Sequence, residues 1–191
     1  DTYIHFIEAA CNDPYVTQIE QTIYRIDSLS TVVEALKKAA TKKKIRVFIE
    51  LRARFDELNN LKLAEELRNA GVEVAFGFGK LKLHAKITLV TRKENGRTTL
   101  YTHLSTGNYN AATARQYTDL AILTSNYEMG ADAENFFNSI SHEQIPLKFK
   151  KLVLAPTKMH RRLLSLIDSE IKAAESGLPA RIVAKVNALV D

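Results

Sequence analysis

One cysteine, Cys11, stands in a chain of 191 residues. A single thiol excludes an internal disulfide framework and fits a reducing cytoplasm. Its helical surroundings predict a core side chain. No apolar run approaches the ~20 residues needed to span a bilayer, and no basic-then-apolar opening marks a secretory signal. The chain also lacks an initiator methionine and opens at Asp1, as expected of a piece of something longer. No zinc-ligand set, RNP-like aromatic pair or recognition-helix signature is present, so no nucleic-acid partner is expected.

What remains is an ordinary globular composition, 46% hydrophobic and 26% charged, long enough for one good core plus part of another. The net charge of +5 leans towards an anionic partner: nucleotide, nucleic acid or polyanion. Much of that excess is local. Lys37, Lys38, Lys42, Lys43 and Lys44 crowd one helix end, where they suit the macrodipole and read as a solvated face. Lys148, Lys150 and Lys151 sit in a linker.

Hydrophobic spacing predicts a helix over 3–11 with Ile4, Phe6 and Ile7 inward, a break at Asn12-Asp13-Pro14, and a strand over 16–24. Ser30 offers a cap for a helix over 31–40 with Val32, Val33 and Leu36 in its stripe. A strand over 45–51, a helix over 61–70 stopped at Gly71, and a strand over 72–76 follow. Strands alternating with helices imply a layered α/β fold with a largely parallel sheet. Ligands in such sheets bind at the carboxyl ends of the strands, and Arg25 and Arg54 lie just past two of those ends.

The stretch from Leu81 to Val90 reads as a buried strand. Side chains on a strand alternate, which puts His84 and Lys86 on one face and Leu83, Ala85, Ile87 and Leu89 on the other. Two polar groups beside an apolar run are costly without partners. A neutral imidazole next to an ammonium suits attack on a phosphoryl group, or clamping of it. Alone, an H-x-K triplet recurs by chance in basic chains.

Lys93-Glu94-Asn95-Gly96 predicts a hairpin turn, with a returning strand over 97–104. Ser105-Thr106-Gly107-Asn108-Tyr109-Asn110 at a strand-to-helix junction offers backbone N–H groups to an anion, or is a plain turn with a cap. A strand over 120–123 and a helix over 131–140 come next. His103 reads as structural, and His5, His142 and His160 as non-catalytic. The pattern lapses over 142–151, which predicts a domain boundary with units 1–150 and 151–191. Beyond it a strand over 152–155, a helix over 159–174 and a strand over 181–189 are expected. Helix, break, strand repeats the order of residues 3–25, a sign of an internal repeat.

Five motifs in register carry a family resemblance: Gln21-Thr22-Ile23-Tyr24-Arg25, Glu50-Leu51-Arg52-Ala53-Arg54-Phe55-Asp56-Glu57, Leu83-His84-Ala85-Lys86, Ser105 to Asn110, and Tyr117-Thr118-Asp119-Leu120. With the tail from Arg181 to Asp191, they make the sequence resemble bacterial polyphosphate kinase of the long, histidine-phosphorylating type. The resemblance implies a phospholipase D-like layered sandwich, a mixed, largely parallel sheet flanked by helices. Residues 1–150 would be the first catalytic domain and 151–191 the truncated start of a second, similar one.

It also implies that His84 takes the γ-phosphate of ATP and that Tyr117 holds the nucleotide. Arg25 and Arg54 would belong to the magnesium–phosphate site. A guanidinium has no lone pair for Mg²⁺, so those arginines are expected to touch the phosphates that carry the metal. Lys86 would neutralise phosphate charge, and Asn108 would be a further donor. The implied partners are ATP/ADP and inorganic polyphosphate, with Mg²⁺ accompanying ATP. The full-length protein is expected to be a homo-oligomer, cytoplasmic or peripheral at the inner membrane surface, and the fragment alone inactive. Glu20 departs from the lysine often found before the first motif.

Bland alternatives stand beside these roles: Arg25 and Arg54 as ion-pair partners of Asp27 and Asp56, and Tyr117 as sheet packing. Two rival functions are a phospholipase D-type phosphodiesterase or nuclease, and a basic nucleic-acid-binding module. The first wants an aspartate five residues after the lysine, where this chain has Thr91.

Overall fold

The computed structural model describes residues 2–26, 30–53, 56–145 and 148–186. Two units follow one another along the chain, Asp1–Lys151 and Leu152–Asp191.

The first unit opens with helix α1 (Thr2–Asn12) and strand β1 (Val16–Ile23). Helix α2 (Thr31–Ala39) starts where the Ser30 hydroxyl accepts from Val33 N at 3.3 Å, and it buries Val32, Val33, Leu36 and Ala39. Strand β2 (Lys44–Ile49) leads to helix α3 (Glu57–Asn69). That helix begins at Glu57 rather than Leu61, because its first turn exposes Leu58 and buries the polar Asn60, leaving no apolar stripe to read. It ends at Gly71, whose φ of +88° is open to glycine at little cost.

Strand β3 (Glu73–Phe76) is followed by the hairpin β4 (Lys86–Glu94) and β5 (Arg97–Ser105). Asn95 and Gly96 both have positive φ, the backbone a two-residue hairpin turn requires. Helix α4 (Ala111–Gln116), strand β6 (Ala121–Thr124) and helix α5 (Tyr127–Ser141) complete the unit. Asn126 caps α5 by accepting from Met129 N at 3.0 Å, so the helix starts ahead of its apolar stripe.

The six strands form one sheet in the order β3-β2-β1-β4-β5-β6. It is mixed. β1, β2 and β3 pair in parallel, while β1-β4, β4-β5 and β5-β6 are antiparallel. The parallel character expected from the strand–helix alternation is thus confined to the β3-β2-β1 half. Helices α1, α2 and α3 bury Ile7, Leu36 and Leu67 with Ile19, Ile23 and Val47 in one core cluster. Helix α5 carries Phe136, Phe137 and Ile140 in its buried face, and the Phe48 and Phe137 rings meet at 5.3 Å. Cys11 is half-buried, and burial pushes its thiol up to about 11.

Two expectations need correction. The strand expected over 81–90 begins only at Lys86, so His84 precedes it. The strands expected at 152–155 and 181–189 are absent among the described residues of the second unit, which holds helix α6 (Met159–Glu175) between irregular stretches. A strand is stable only with paired neighbours. Leu163, Leu164, Ile167 and Ile171 of α6 are all exposed. Residues 187–191 lie outside the described set.

This topology gathers the motifs. The carboxyl ends of β1, β2 and β3 share one sheet edge, and antiparallel pairing brings the start of β4, the end of β5 and the start of β6 to that same edge.

Candidate active site

Lys86 opens β4 and is almost fully buried, while His84 is partly open to solvent. The Lys86 Nζ lies 3.1 Å from both ring nitrogens of His84 and donates to the His84 carbonyl at 2.7 Å. Its position over the Tyr24 ring, 5.1 Å from the centroid, adds cation–π attraction. The Tyr24 ring also meets His84 edge-on at 4.7 Å. His84 and Lys86 therefore do come together, through a lysine that folds back along its own backbone rather than through strand alternation.

Two buried polar side chains hold the stretch that carries His84, and a third ties down the strand ends beside it. The Thr22 hydroxyl donates to Ala85 O at 2.7 Å and accepts from Ile87 N at 3.0 Å, continuing the β1–β4 pairing past its last ladder position. The Glu50 carboxylate accepts from Leu83 N at 2.5 Å and from Arg52 N at 2.7 Å. Asn60 donates to Glu50 O at 2.9 Å and Tyr24 O at 3.1 Å, which ties the ends of β1 and β2 together. None of these three was legible as functional, since Glu50 follows an apolar run, Thr22 sits in a mixed strand and Asn60 in a polar helical turn.

The electrostatics are those of a crowded cationic edge. Burial pushes Lys86 down to about 8, with Asp119 opposing that shift and Arg25 adding to it. Burial, Lys86 and Lys82 hold His84 below its usual value, while Glu50 pulls it up. A neutral imidazole is therefore the resting state at neutral pH.

Arg25 follows β1 and pairs through Nε with Asp56 Oδ2, the ion-pair alternative considered for it. Arg54 and Asp27 lie outside the described residues. Asn108 has its side-chain oxygen buried without a hydrogen-bond partner. It lines a cavity of about 810 Å³ together with Asp56, Asp119, Tyr3, Tyr109 and His103.

The anion cradle expected over 105–110 is partly taken up. Ser105 Oγ accepts from Gly107 N at 3.0 Å, and Asn110 Oδ1 accepts from Thr113 N at 3.0 Å. The Asp119 carboxylate packs where a Gly107 side chain would be and accepts from Thr106 Oγ1 at 2.9 Å. A fixed negative charge there opposes an anion. Tyr117 is 53% exposed, so it is not sheet packing, and it is not part of that cavity wall.

His103 is buried, with Nδ1 3.2 Å from Tyr109 Oη and its ring 4.6 Å from that of Tyr3. Burial lowers it to about 4.

A six-stranded mixed sheet with helices on both faces and an H-x-K pair at one edge defines a phospholipase D-like α/β domain. The structure superposes with a TM-score of 0.58 on NucT from Helicobacter pylori, at 10% identity over 76% of this chain and 91% of that one. Nuc, a phospholipase D family member from Salmonella typhimurium, gives 0.53 at 15% identity, over 72% and 84%. Both likenesses are of fold alone.

The chain belongs to the polyphosphate kinase family: the model for polyphosphate kinase C-terminal domain 1 matches residues 1–146, and that for C-terminal domain 2 matches residues 152–191. The polyphosphate kinase of Bacillus cereus is 44% identical over 189 residues, 98% of this chain and 27% of that protein. That of Thermosynechococcus vestitus is 44% identical over all of this chain and 26% of its own length. The crystal structure of polyphosphate kinase from Porphyromonas gingivalis matches with a TM-score of 0.80 at 35% identity, over 93% of this chain and 30% of that one. This chain thus spans about a quarter of the length of these curated relatives.

Proposed function

We propose that this chain is the phosphoryl-accepting part of an ATP:polyphosphate phosphotransferase, with His84 as the nucleophile. The observation that carries the reading is the buried Lys86 ammonium 3.1 Å from a neutral imidazole, on the sheet edge where Arg25 also lies. A neutral ring nitrogen attacks the γ-phosphorus of ATP, the bond from phosphorus to the bridging oxygen breaks, and ADP leaves. A terminal oxygen of polyphosphate then attacks the same phosphorus, the N–P bond breaks, and the imidazole is restored. Both steps are reversible.

Lys86 has a definite part in this sequence. In the resting site its ammonium lies against the imidazole, 3.1 Å from both ring nitrogens. An arriving phosphate offers stronger acceptor oxygens, draws the ammonium onto itself and uncovers the nitrogen. Arg25 supplies a second cation, held in place by Asp56, and its planar fork suits phosphate oxygens. Arg54, Asn108 and Tyr117 complete the proposed contacts with phosphate and nucleotide.

Magnesium meets no ready protein cage among the described residues: no group of three or more histidine, cysteine or carboxylate side chains converges there, and the Arg25 guanidinium cannot ligate a metal. The ion would come with the ATP phosphates and supply charge neutralisation there.

Labelling the full-length protein with γ-phosphate-tagged ATP tests the reading. An acid-labile, base-stable adduct on the His84 peptide is expected, and none in His84→Ala. Label retained in that variant would overturn it. Hydrolysis of a chromogenic phosphodiester, expected to be nil, would favour the phosphodiesterase reading instead.

A further inference from the structure

We propose that Glu50 is the positioning residue of the site: one buried carboxylate fixes the loop that carries His84 to the arginine-bearing segment that follows β2. The proposal rests on the phosphohistidine reading and adds the group that sets the nucleophile's place.

Residues 81–85 belong to no strand, so no ladder positions them. Their anchors converge. Glu50 Oε2 accepts from Leu83 N at 2.5 Å, and Glu50 Oε1 accepts from Arg52 N at 2.7 Å. Arg52 Nη2 donates to Leu81 O at 2.6 Å while its Nε lies 3.5 Å from Glu50 Oε1. Glu50 is 1% exposed. A carboxylate so buried is costly unless its oxygens are satisfied, and here the two oxygens serve two different segments.

The surroundings keep that bridge intact. Asn60 holds the Glu50 carbonyl from behind. At Gly77 a Cβ would stand 3.2 Å from Glu50 Oε2 and 3.3 Å from Leu83 Cβ, so the absent side chain leaves room for the carboxylate to reach the loop. The same negative charge raises the basicity of His84, against burial, Lys86 and Lys82. Glu50 thus sets where the imidazole stands and offsets part of the basicity lost to burial, Lys86 and Lys82.

Glu50→Gln in the full-length protein is the test. Its amide can accept from one of the two N–H groups and confronts the other with a donor. Phosphohistidine formation is expected to slow by about 100-fold, the scale of a misplacement of about 1 Å, with KM for ATP nearly unchanged. Independently of turnover, the pH midpoint for modification of His84 by diethyl pyrocarbonate, followed on its peptide, is expected to fall. An unchanged rate and an unchanged midpoint would overturn the proposal.

Should Glu50→Gln not fold, Gly77→Ala presses on the Glu50 carboxylate and on Leu83 by a few tenths of an ångström, with a smaller slowing expected and no slowing counting against the proposal. If His84→Ala still carries label, the phosphohistidine reading fails, while the shift in midpoint still decides whether Glu50 governs His84.

Discussion

Lys86 is worth more to a phosphate when charged, and its charge is fragile. Held near 8 by burial, it is protonated below that pH and neutral above. Phosphoryl transfer is therefore expected to decline as pH rises through about 8. Lys86→Arg keeps its charge at all accessible pH, so a slower enzyme without that alkaline limb is expected from pH–rate profiles. A limb of unchanged position in the variant would assign the titration to another group. His103 makes the opposite point. Its folded value near 4 lies below the ordinary 6.5, so the unfolded chain takes the proton first. Its contribution is intact above about 6.5 and erodes as pH falls towards 4, by up to about 3 kcal/mol. The difference in urea-denaturation stability between wild type and His103→Gln, followed from pH 7 to 4, should shrink accordingly. At this scale the sequence reveals residue types in a motif, and so it led to His84 and Lys86. It did not reveal Glu50 or Thr22, because a carboxylate just past a strand or a hydroxyl near its end looks the same whether it faces water or a loop.

Among elements, the parts with a periodic or turn-specific signal were the readable ones. The stripe of α2, the left-handed pair Asn95-Gly96 and the stop at Gly71 each follow from one local rule. The start of β4 does not. Leu81, Leu83, Ala85, Ile87 and Leu89 alternate as a strand would, yet pairing with β1 stops at the Gln21–Thr88 register. Beyond that point the Thr22 hydroxyl replaces the ladder, a tertiary substitution with no signature in spacing. Thr22→Val keeps the shape and removes both bonds, leaving Ile87 N and Ala85 O unpaired in a buried place. A loss of about 2–3 kcal/mol in denaturant stability is expected, with faster hydrogen exchange at the Ile87 amide. Stability and exchange both unchanged would show that the hydroxyl does not hold the His84 segment.

For the whole molecule, the edge that gathers the motifs is open. Tyr117 and Leu120 are more than half exposed, and Ile122 and Leu123 on the terminal strand β6 are each 46% exposed. A phosphohistidine formed on such an edge stands in water, whereas productive transfer needs a site from which water is excluded. Nothing in the chain's composition announces this; it follows from His84 standing exposed ahead of β4, beside exposed apolar residues on the terminal strand β6. The relatives are almost four times as long as the matched region, enough chain to build the missing walls. Residues 1–191 alone are therefore expected to make no polyphosphate from ATP under conditions where the full-length protein does, when both are assayed for labelled polymer after acid quenching. Polymer accumulating with the short chain would mean that the open edge already suffices, and that the exposed apolar residues of β6 serve something other than closing the site.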